Sequence, residues 1–243
     1  MSKKVFIGVG HGGSDPGALG NGLRESDLNL SIALACYAQL VRHGVDVKMS
    51  RTTDENDTLE EEIRECNEYG PDLAIDIHNN AGGGDGVEAY YYHGGGLSKT
   101  LAENVLREIT YLGQNSRGAK TRMWGEVDYY GFIRETYAPA VIVECAFIDN
   151  AKDIKIIDTE EECVKMGSAI ARGIIETLGM EYNYGDVNND GKVNVADVSM
   201  IMKYVAKWSG VDIDEVEADL NKDGYVTLAD VTALMKKIAG WNK

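Results

Sequence analysis

The sequence is short of positive charge. Lys and Arg number 24 against 40 Asp and Glu, leaving a formal net charge of −16. A phosphate backbone needs a basic footprint, so this balance argues against nucleic-acid binding. It argues equally against attraction to an anionic membrane. No stretch approaches the roughly 18 apolar residues of a membrane span. Residues 1–5, Met-Ser-Lys-Lys-Val, hold no apolar segment ahead of the first strand, so no signal peptide is visible. Cysteines are few: Cys36, Cys66, Cys145 and Cys163. Their spacings match no zinc knuckle or CxxC motif, and buried free thiols are expected.

What is present fits one full domain and a smaller one in 243 residues. Short apolar runs at 5–9, 45–49, 73–77, 86–92 and 140–148 read as strands. Helical periodicity marks 26–43, 59–69, 97–112 and 160–178. In the last of these Val164, Ala171, Ile174 and Ile175 are expected to face inward. The alternation predicts an α/β fold, a mostly parallel sheet flanked by helices, over residues 1–180. From residue 181 the sequence switches to an internal repeat, the sign of a separate unit over 181–243.

Four residues of the first unit carry chemistry: His11, Glu25, His78 and Glu144. Each sits where an apolar segment meets a polar turn, and open α/β sheets gather their sites at strand ends. Two histidines and a carboxylate suit a catalytic zinc, with a position left for water. Singly, each has a plainer reading: a hydrogen-bonded histidine at a strand end, or a charge at a helix N-terminus. Glu144, closing an apolar strand, needs a metal or an arginine beside it, because a buried lone charge is costly. Gly8-Val-Gly10-His-Gly-Gly13 also matches the GxGxxG of dinucleotide sites. There the third glycine opens a helix; here the glycine-rich stretch 14–22 intervenes as a loop.

Residues 3–178 resemble the zinc-dependent N-acetylmuramoyl-L-alanine amidases of the Amidase_3 type. The resemblance runs through Gly10-His-Gly-Gly-Ser-Asp-Pro-Gly-Ala18, Glu25 with Asn29-Leu30, Arg51-Thr-Thr-Asp54, Asp76-Ile-His78-Asn-Asn80-Ala81, and Pro139-Ala-Val-Ile-Val-Glu144 through Asn150. It implies zinc on His11, Glu25 and His78, with Glu144 as the catalytic carboxylate. The substrate it implies is peptidoglycan, cut at the amide between N-acetylmuramic acid and L-alanine. Gly8-Val9 departs from the family's Asp-Pro, and Asp76 from its serine. Asp76 either accepts a hydrogen bond from a ligating imidazole or is a solvated or capping residue. Asn80 and Arg134 are the substrate-binding candidates, Arg134 as a clamp on a stem-peptide carboxylate or as a surface ion pair. Tyr90–Tyr92, Trp124 and the glycine turns 82–86 and 94–96 are candidate rim elements. Between His78 and Glu144 no autoinhibitory helix is expected.

The second unit reads GDVNNDGKVNVAD and, thirty-three residues on, ADLNKDGYVTLAD. Each follows the D-x-[DN]-x-[DN]-G calcium pattern with a carboxylate at position 12. The first loop offers Asp186, Asn188, Asp190, Gly191, Lys192 (carbonyl), Asn194 (through water) and Asp197. The second offers Asp219, Asn221, Asp223, Gly224, Tyr225 (carbonyl), Thr227 (through water) and Asp230. Helices are expected at 195–208 and 228–240 but not ahead of the first loop, so this is not an EF-hand. It resembles a type I dockerin, which implies two structural calcium ions and a cohesin domain as partner. Val195-Ala196 and Leu228-Ala229 would be the recognition positions. An orphan calcium-stabilised cap is the plainer alternative. Together the two resemblances imply a secreted or phage-derived enzyme working outside the cell or at the cell wall. The competing reading is a non-catalytic wall-binding or assembly protein on the same fold.

Overall fold

The computed structural model describes residues 2–182, 184–188, 190 and 192–241. The chain divides into two compact units, Met1–Glu181 and Tyr182–Lys243.

In the first unit, β1 (Lys4–Val9) leads through the hairpin β2 (Leu19–Gly20) and β3 (Leu23–Arg24) into α1 (Glu25–Arg42). Then follow β4 (Asp46–Met49), α2 (Leu59–Tyr69), β5 (Leu73–Asn80), β6 (Val87–Tyr91) and α3 (Leu97–Thr110). After β7 (Ser116–Lys120) come the hairpin β8 (Met123–Trp124) and β9 (Val127–Asp128), α4 (Gly131–Glu135), β10 (Ala140–Phe147) and α5 (Glu160–Thr177). Six strands form one sheet in the order β4-β1-β5-β10-β6-β7. The pairs among β4, β1, β5 and β10 are parallel, β10 and β6 are antiparallel, and β6 and β7 are parallel. The mostly parallel, helix-flanked sheet is the expected one.

Each helix has a local cause. Thr58 caps α2 in a reciprocal box with Glu61, and Gly70 closes it in the left-handed region with φ 62°. Thr159 caps α5. At α1 no side chain caps the start; the carbonyls of Ala18 and Pro16 accept the N–H groups of Glu25 and Ser26 instead. That leaves the Glu25 carboxylate for other work.

The parallel strands are buried on both faces. Phe6, Ala74, Ala140 and Ile142 pack with Ile63, Cys66, Phe132 and Ile133 of α2 and α4. On the other face α5 lies against α1 and α3. Gly167 lets the backbones touch: a Cβ there would lie 2.4 Å from the Ile32 carbonyl oxygen. Ala171, Ile174 and Ile175 face inward as expected, but Val164 is exposed, because the inward stripe at this end of α5 runs through Cys163 and Met166. All four cysteines are buried free thiols.

Three details differ from the expected elements. β5 continues past Ile77 through His78 to Asn80, because β10 keeps pairing with it at Glu144 and Phe147. β7, the two short hairpins and α4 were not legible as periodic segments. The span between His78 and Glu144 therefore holds three further short strands, β7, β8 and β9, and a five-residue helix besides β6 and α3.

The second unit packs α6 (Val195–Val205) against α8 (Leu228–Ile238), with the short α7 (Glu215–Ala218) between them in sequence. Its core is small: Val187, Val198, Ile201, Ile213, Ala218, Val231 and Leu234.

Candidate metal centre and active site

Three of the sequence-predicted residues converge. One ligand atom each from His11, Glu25 and His78 lie within 4.8 Å of one another, the one such cluster among the described residues. His11 follows β1, Glu25 opens α1 and His78 lies on β5. His11 Nε2 is 3.3 Å and His78 Nδ1 is 3.1 Å from Glu25 Oε1. The remaining ring nitrogens face other carboxylates: His11 Nδ1 is 2.8 Å from Asp15 Oδ2, and His78 Nε2 is 3.1 Å from Asp76 Oδ2. Each imidazole thus stands between Glu25 and an orienting acid, the arrangement that fixes tautomer and ring plane in metal sites. Asp76, 3% exposed, takes the orienting role and not the solvated one.

The local backbone is built for close approach. His11 itself has φ 63°, a strained value for a residue with a side chain. A Cβ on Gly10 would lie 2.2 Å from the His78 ring, and one on Gly17 2.7 Å from Glu25 Oε2. The glycines of the first motif make room for the His78 ring and the Glu25 carboxylate. Buried Arg51 ties the loop down by donating to the carbonyls of Val9, Ser26 and Thr53. Asp54 accepts the N–H of Gly13. Asn29, one turn after Glu25, donates to the Gly10 carbonyl and accepts from Asn79. The backbone N–H groups of Asn79 and Ala18 complete the Glu25 carboxylate.

The charges are tightly linked. Burial opposes ionisation of Glu25, yet His11 and His78 hold its carboxyl well below the usual range. Burial likewise opposes a charge on His78, but Asp76 and Glu25 push it well up. Glu25 raises His11. The carboxylates of Glu25, Asp15 and Asp76 around the two rings favour positive charge at this point, which a divalent cation fits. The donor set, two imidazoles and a carboxylate, is that of zinc.

Glu144 stands beside this cluster, paired in register with His78 across β10 and β5. Burial pushes its carboxyl up to about 7, with Glu25 and Asp76 adding to the shift and His78 opposing it. Of the metal or arginine expected beside it, no arginine is there: among the described residues no ion pair or side-chain hydrogen bond is found for Glu144. A cavity of about 280 Å³ adjoins the centre, lined by His11, Asp15, Asp57, Glu62, Asp76, His78 and Tyr130 among others.

The chain from residue 5 to 176 matches the N-acetylmuramoyl-L-alanine amidase family, Amidase_3. The chain belongs to that family. Residues 184–239 match the dockerin type I domain. The N-acetylmuramoyl-L-alanine amidase CwlM of Bacillus licheniformis is 34% identical over 184 residues, 74% of this chain and 70% of that protein. Among solved structures, Cwp6 from Clostridium difficile is similar with TM-score 0.72 and 39% identity over 73% of this chain. The amidase chain spans only 30% of that longer protein. The catalytic domain of the amidase CwlV from Bacillus (Paenibacillus) polymyxa var. colistinus matches with TM-score 0.67 and 28% identity, covering 74% of this chain and 99% of that one.

Two candidates from the sequence lie apart from the triad. Asn80 is on β5, two residues past His78, but its amide is engaged: Nδ2 donates to Glu88 Oε1 and Oδ1 accepts from Ala81 N. Arg134 donates to the carbonyls of Asp128 and Tyr129 and to the Glu135 carboxylate. It lines a separate cavity with Tyr92, Leu97 and Tyr137. Asp15, Glu62 and Glu88 were not singled out from sequence. Glu88 gave a signal, an acid inside the apolar strand VEAYY, the same signal that marked Glu144.

In the dockerin unit the two loops repeat one bonding pattern. Asp190 N donates to Asp186 and Asn188, as Asp223 N does to Asp219 and Asn221. Lys192 N and Tyr225 N donate to Asp190 and Asp223. Asn194 and Thr227 cap α6 and α8 in boxes with Asp197 and Asp230, both fully buried. Gly224 has φ 85° and donates to Asp219; its counterpart Gly191 lies outside the described residues. Buried carboxylates collected around all-oxygen loops suit a hard cation such as calcium.

Proposed function

We propose that the first unit hydrolyses the amide between the lactyl group of N-acetylmuramic acid and L-alanine of peptidoglycan, with one zinc on His11, Glu25 and His78. The observation that carries this reading is the convergence of those three donors beside Glu144. Zinc in such a set supplies Lewis acidity toward a carbonyl oxygen and lowers the pKa of water. Asp15 and Asp76 hold the two imidazoles in place. Glu144, unpaired and raised toward neutrality, takes a proton from water on its carboxylate oxygen and delivers it to the leaving amine. Asn80 and Arg134 serve the substrate path through what they hold: Asn80 braces Glu88, and Arg134 braces the turn after β9.

The dockerin unit holds two structural calcium ions, one on Asp186, Asn188, Asp190, Lys192, Asn194 and Asp197, the other on Asp219, Asn221, Asp223, Tyr225, Thr227 and Asp230. Its partner is a cohesin domain. Val195 and Leu228 are 72% and 62% exposed at equivalent positions, and exposed apolar pairs of this kind mark a binding surface. The setting is extracellular or at the cell wall.

Digestion of purified peptidoglycan followed by mass spectrometry tests the enzyme. Stem peptides with free L-alanine amino termini are expected, and they vanish with Glu144→Ala or zinc chelation. Intact muropeptides would sink the reading, and products cut within the stem would assign a peptidase instead. Calcium-dependent capture of cohesins from the same organism tests the partner; capture of none would leave the unit an orphan cap.

A further inference from the structure

Glu144 has two neighbours in the sheet. His78 of β5 pairs with it on one side, and Glu88 of β6 pairs with it on the other. Paired residues of adjacent strands project to one face, so His78, Glu144 and Glu88 form a row. The metal ligands end that row on the His78 side. On the Glu88 side the chemistry is different.

Glu88 is 3% exposed and its carboxylate is fully engaged. Oε1 accepts from Asn80 Nδ2 at 2.9 Å and from the Tyr90 hydroxyl at 3.0 Å. Oε2 accepts from Arg117 Nε at 2.6 Å and from Lys120 Nζ. One buried negative charge therefore holds two cations of β7, and the cluster keeps a surplus positive charge. Both cations reach solvent: the Arg117 and Lys120 side chains are 38% and 33% exposed. Arg117 gives Glu88 only Nε, and among the described residues its two terminal nitrogens have no partner. The guanidinium also lies over the Phe147 ring, 5.0 Å from its centroid. Its orientation is thus fixed from two directions while its outer donors stay open, the geometry that binds a carboxylate with two parallel hydrogen bonds. Arg122 continues the basic edge, 3.9 Å over the Tyr129 ring.

Across the row stand Asp15, Asp57 and Asp76, lining the cavity beside the triad. The face therefore runs from an acidic wall to a basic edge, with Glu144 between them. An anionic peptide is repelled by the first and held by the second.

We propose that Arg117 and Lys120, held by Glu88, bind a carboxylate of the stem peptide next to the scissile amide and select stems whose second residue carries a free carboxylate over its amide. This rests on the amidase reading for its substrate. The test is calorimetric titration of the full chain, supplied with zinc and calcium, with L-alanyl-γ-D-glutamyl-L-lysine and with the same peptide amidated at the second-residue carboxylate. The free carboxylate is expected to bind about tenfold or more tightly, as for a charged hydrogen bond. In Arg117→Gln and Lys120→Gln the difference shrinks toward twofold, with melting temperatures close to that of the parent chain. Arg117→Lys, which keeps the charge and loses the fork, recovers part of it. Equal affinity of the parent chain for both peptides, or a preference surviving both substitutions, overturns the inference. Digestion of the matching intact muropeptides separates it from the amidase reading. Carboxylate-dependent binding with no cleavage fails that reading and leaves this one standing; cleavage without preference does the reverse.

Discussion

At the scale of single residues, Glu25 organises the His-Glu-His cluster proposed to hold zinc. Its carboxylate faces both imidazoles and accepts two backbone N–H groups, while Asp15 and Asp76 hold the imidazoles from behind. Removing an orienting acid leaves the ligands present but poorly aimed. Asp76→Ala is expected to weaken zinc binding by about 10- to 100-fold, read by competition against a chelator; an unchanged affinity would reduce Asp76 to a bystander. Glu144→Gln keeps the shape and removes the proton carrier, so turnover should fall by about 10²- to 10⁴-fold while zinc affinity holds. Glu62 gives a pH prediction. Burial, with Asp76 and Asp57 close by, pushes its carboxyl well above the ordinary range, and its Oε1 has no hydrogen-bond partner. The folded protein then keeps a proton that the unfolded chain releases near a pH of about 4.3. Stability contributed by Glu62 is complete below that value and declines as pH rises above it. Glu62→Gln has no proton to lose. Its melting temperature relative to the parent should rise from about pH 4 to pH 8, and a gap independent of pH would refute the assignment.

At the scale of elements, close packing of α5 on α1 makes an unusual sign prediction. Glycine within a helix ordinarily gains stability on replacement by alanine, by about 0.5–1 kcal/mol. At Gly167 the new Cβ would meet the Ile32 carbonyl oxygen at 2.4 Å and the Cys36 nitrogen at 2.7 Å, both backbone atoms that cannot swing aside. Gly167→Ala should therefore cost about 1–3 kcal/mol, measured by denaturant unfolding of the first unit. The long elements were legible because they are periodic and punctuated: α2 runs over its expected 59–69, between Thr58 and Gly70. The convergence of His11, Glu25 and His78 was legible because they sit at strand or helix ends beside glycine-rich turns. β7 was not, because SRGAK is an edge strand with a glycine and no apolar alternation. The hairpin strands of two residues are too short for any period to register. The end of β5 was misjudged because His78 and the asparagines read as a turn, whereas β10 keeps them in the sheet. Arg117 and Lys120 went unnoticed for a related reason: their meaning comes from Glu88, brought beside them by pairing across β6 and β7.

At the scale of the whole molecule, the two units have unequal means of support. The first has a six-stranded sheet covered on both faces. The second, Tyr182–Lys243, closes around a core with seven buried apolar residues among those described, and domains of about 60 residues are marginal on such a core alone. Its buried Asp197 and Asp230 are the places for it. A calcium-selective chelator should remove one of two calorimetric transitions, that of the second unit, and leave zinc-dependent cleavage by the first intact. Asp197→Ala with Asp230→Ala should do the same without a chelator, and a second transition indifferent to calcium would contradict both.

Strand direction adds one last point. Residues assigned to the chemistry follow β1, open α1 or lie on β5 and β10, and these three strands run one way; Glu88, Arg117 and Lys120 belong to β6 and β7, which run the other way. The reversal is a seam through the enzyme. On the proposed assignments, substitutions in β6 and β7 are expected to change which wall peptides are taken, and those at the ends of β5 and β10 how fast they are cut.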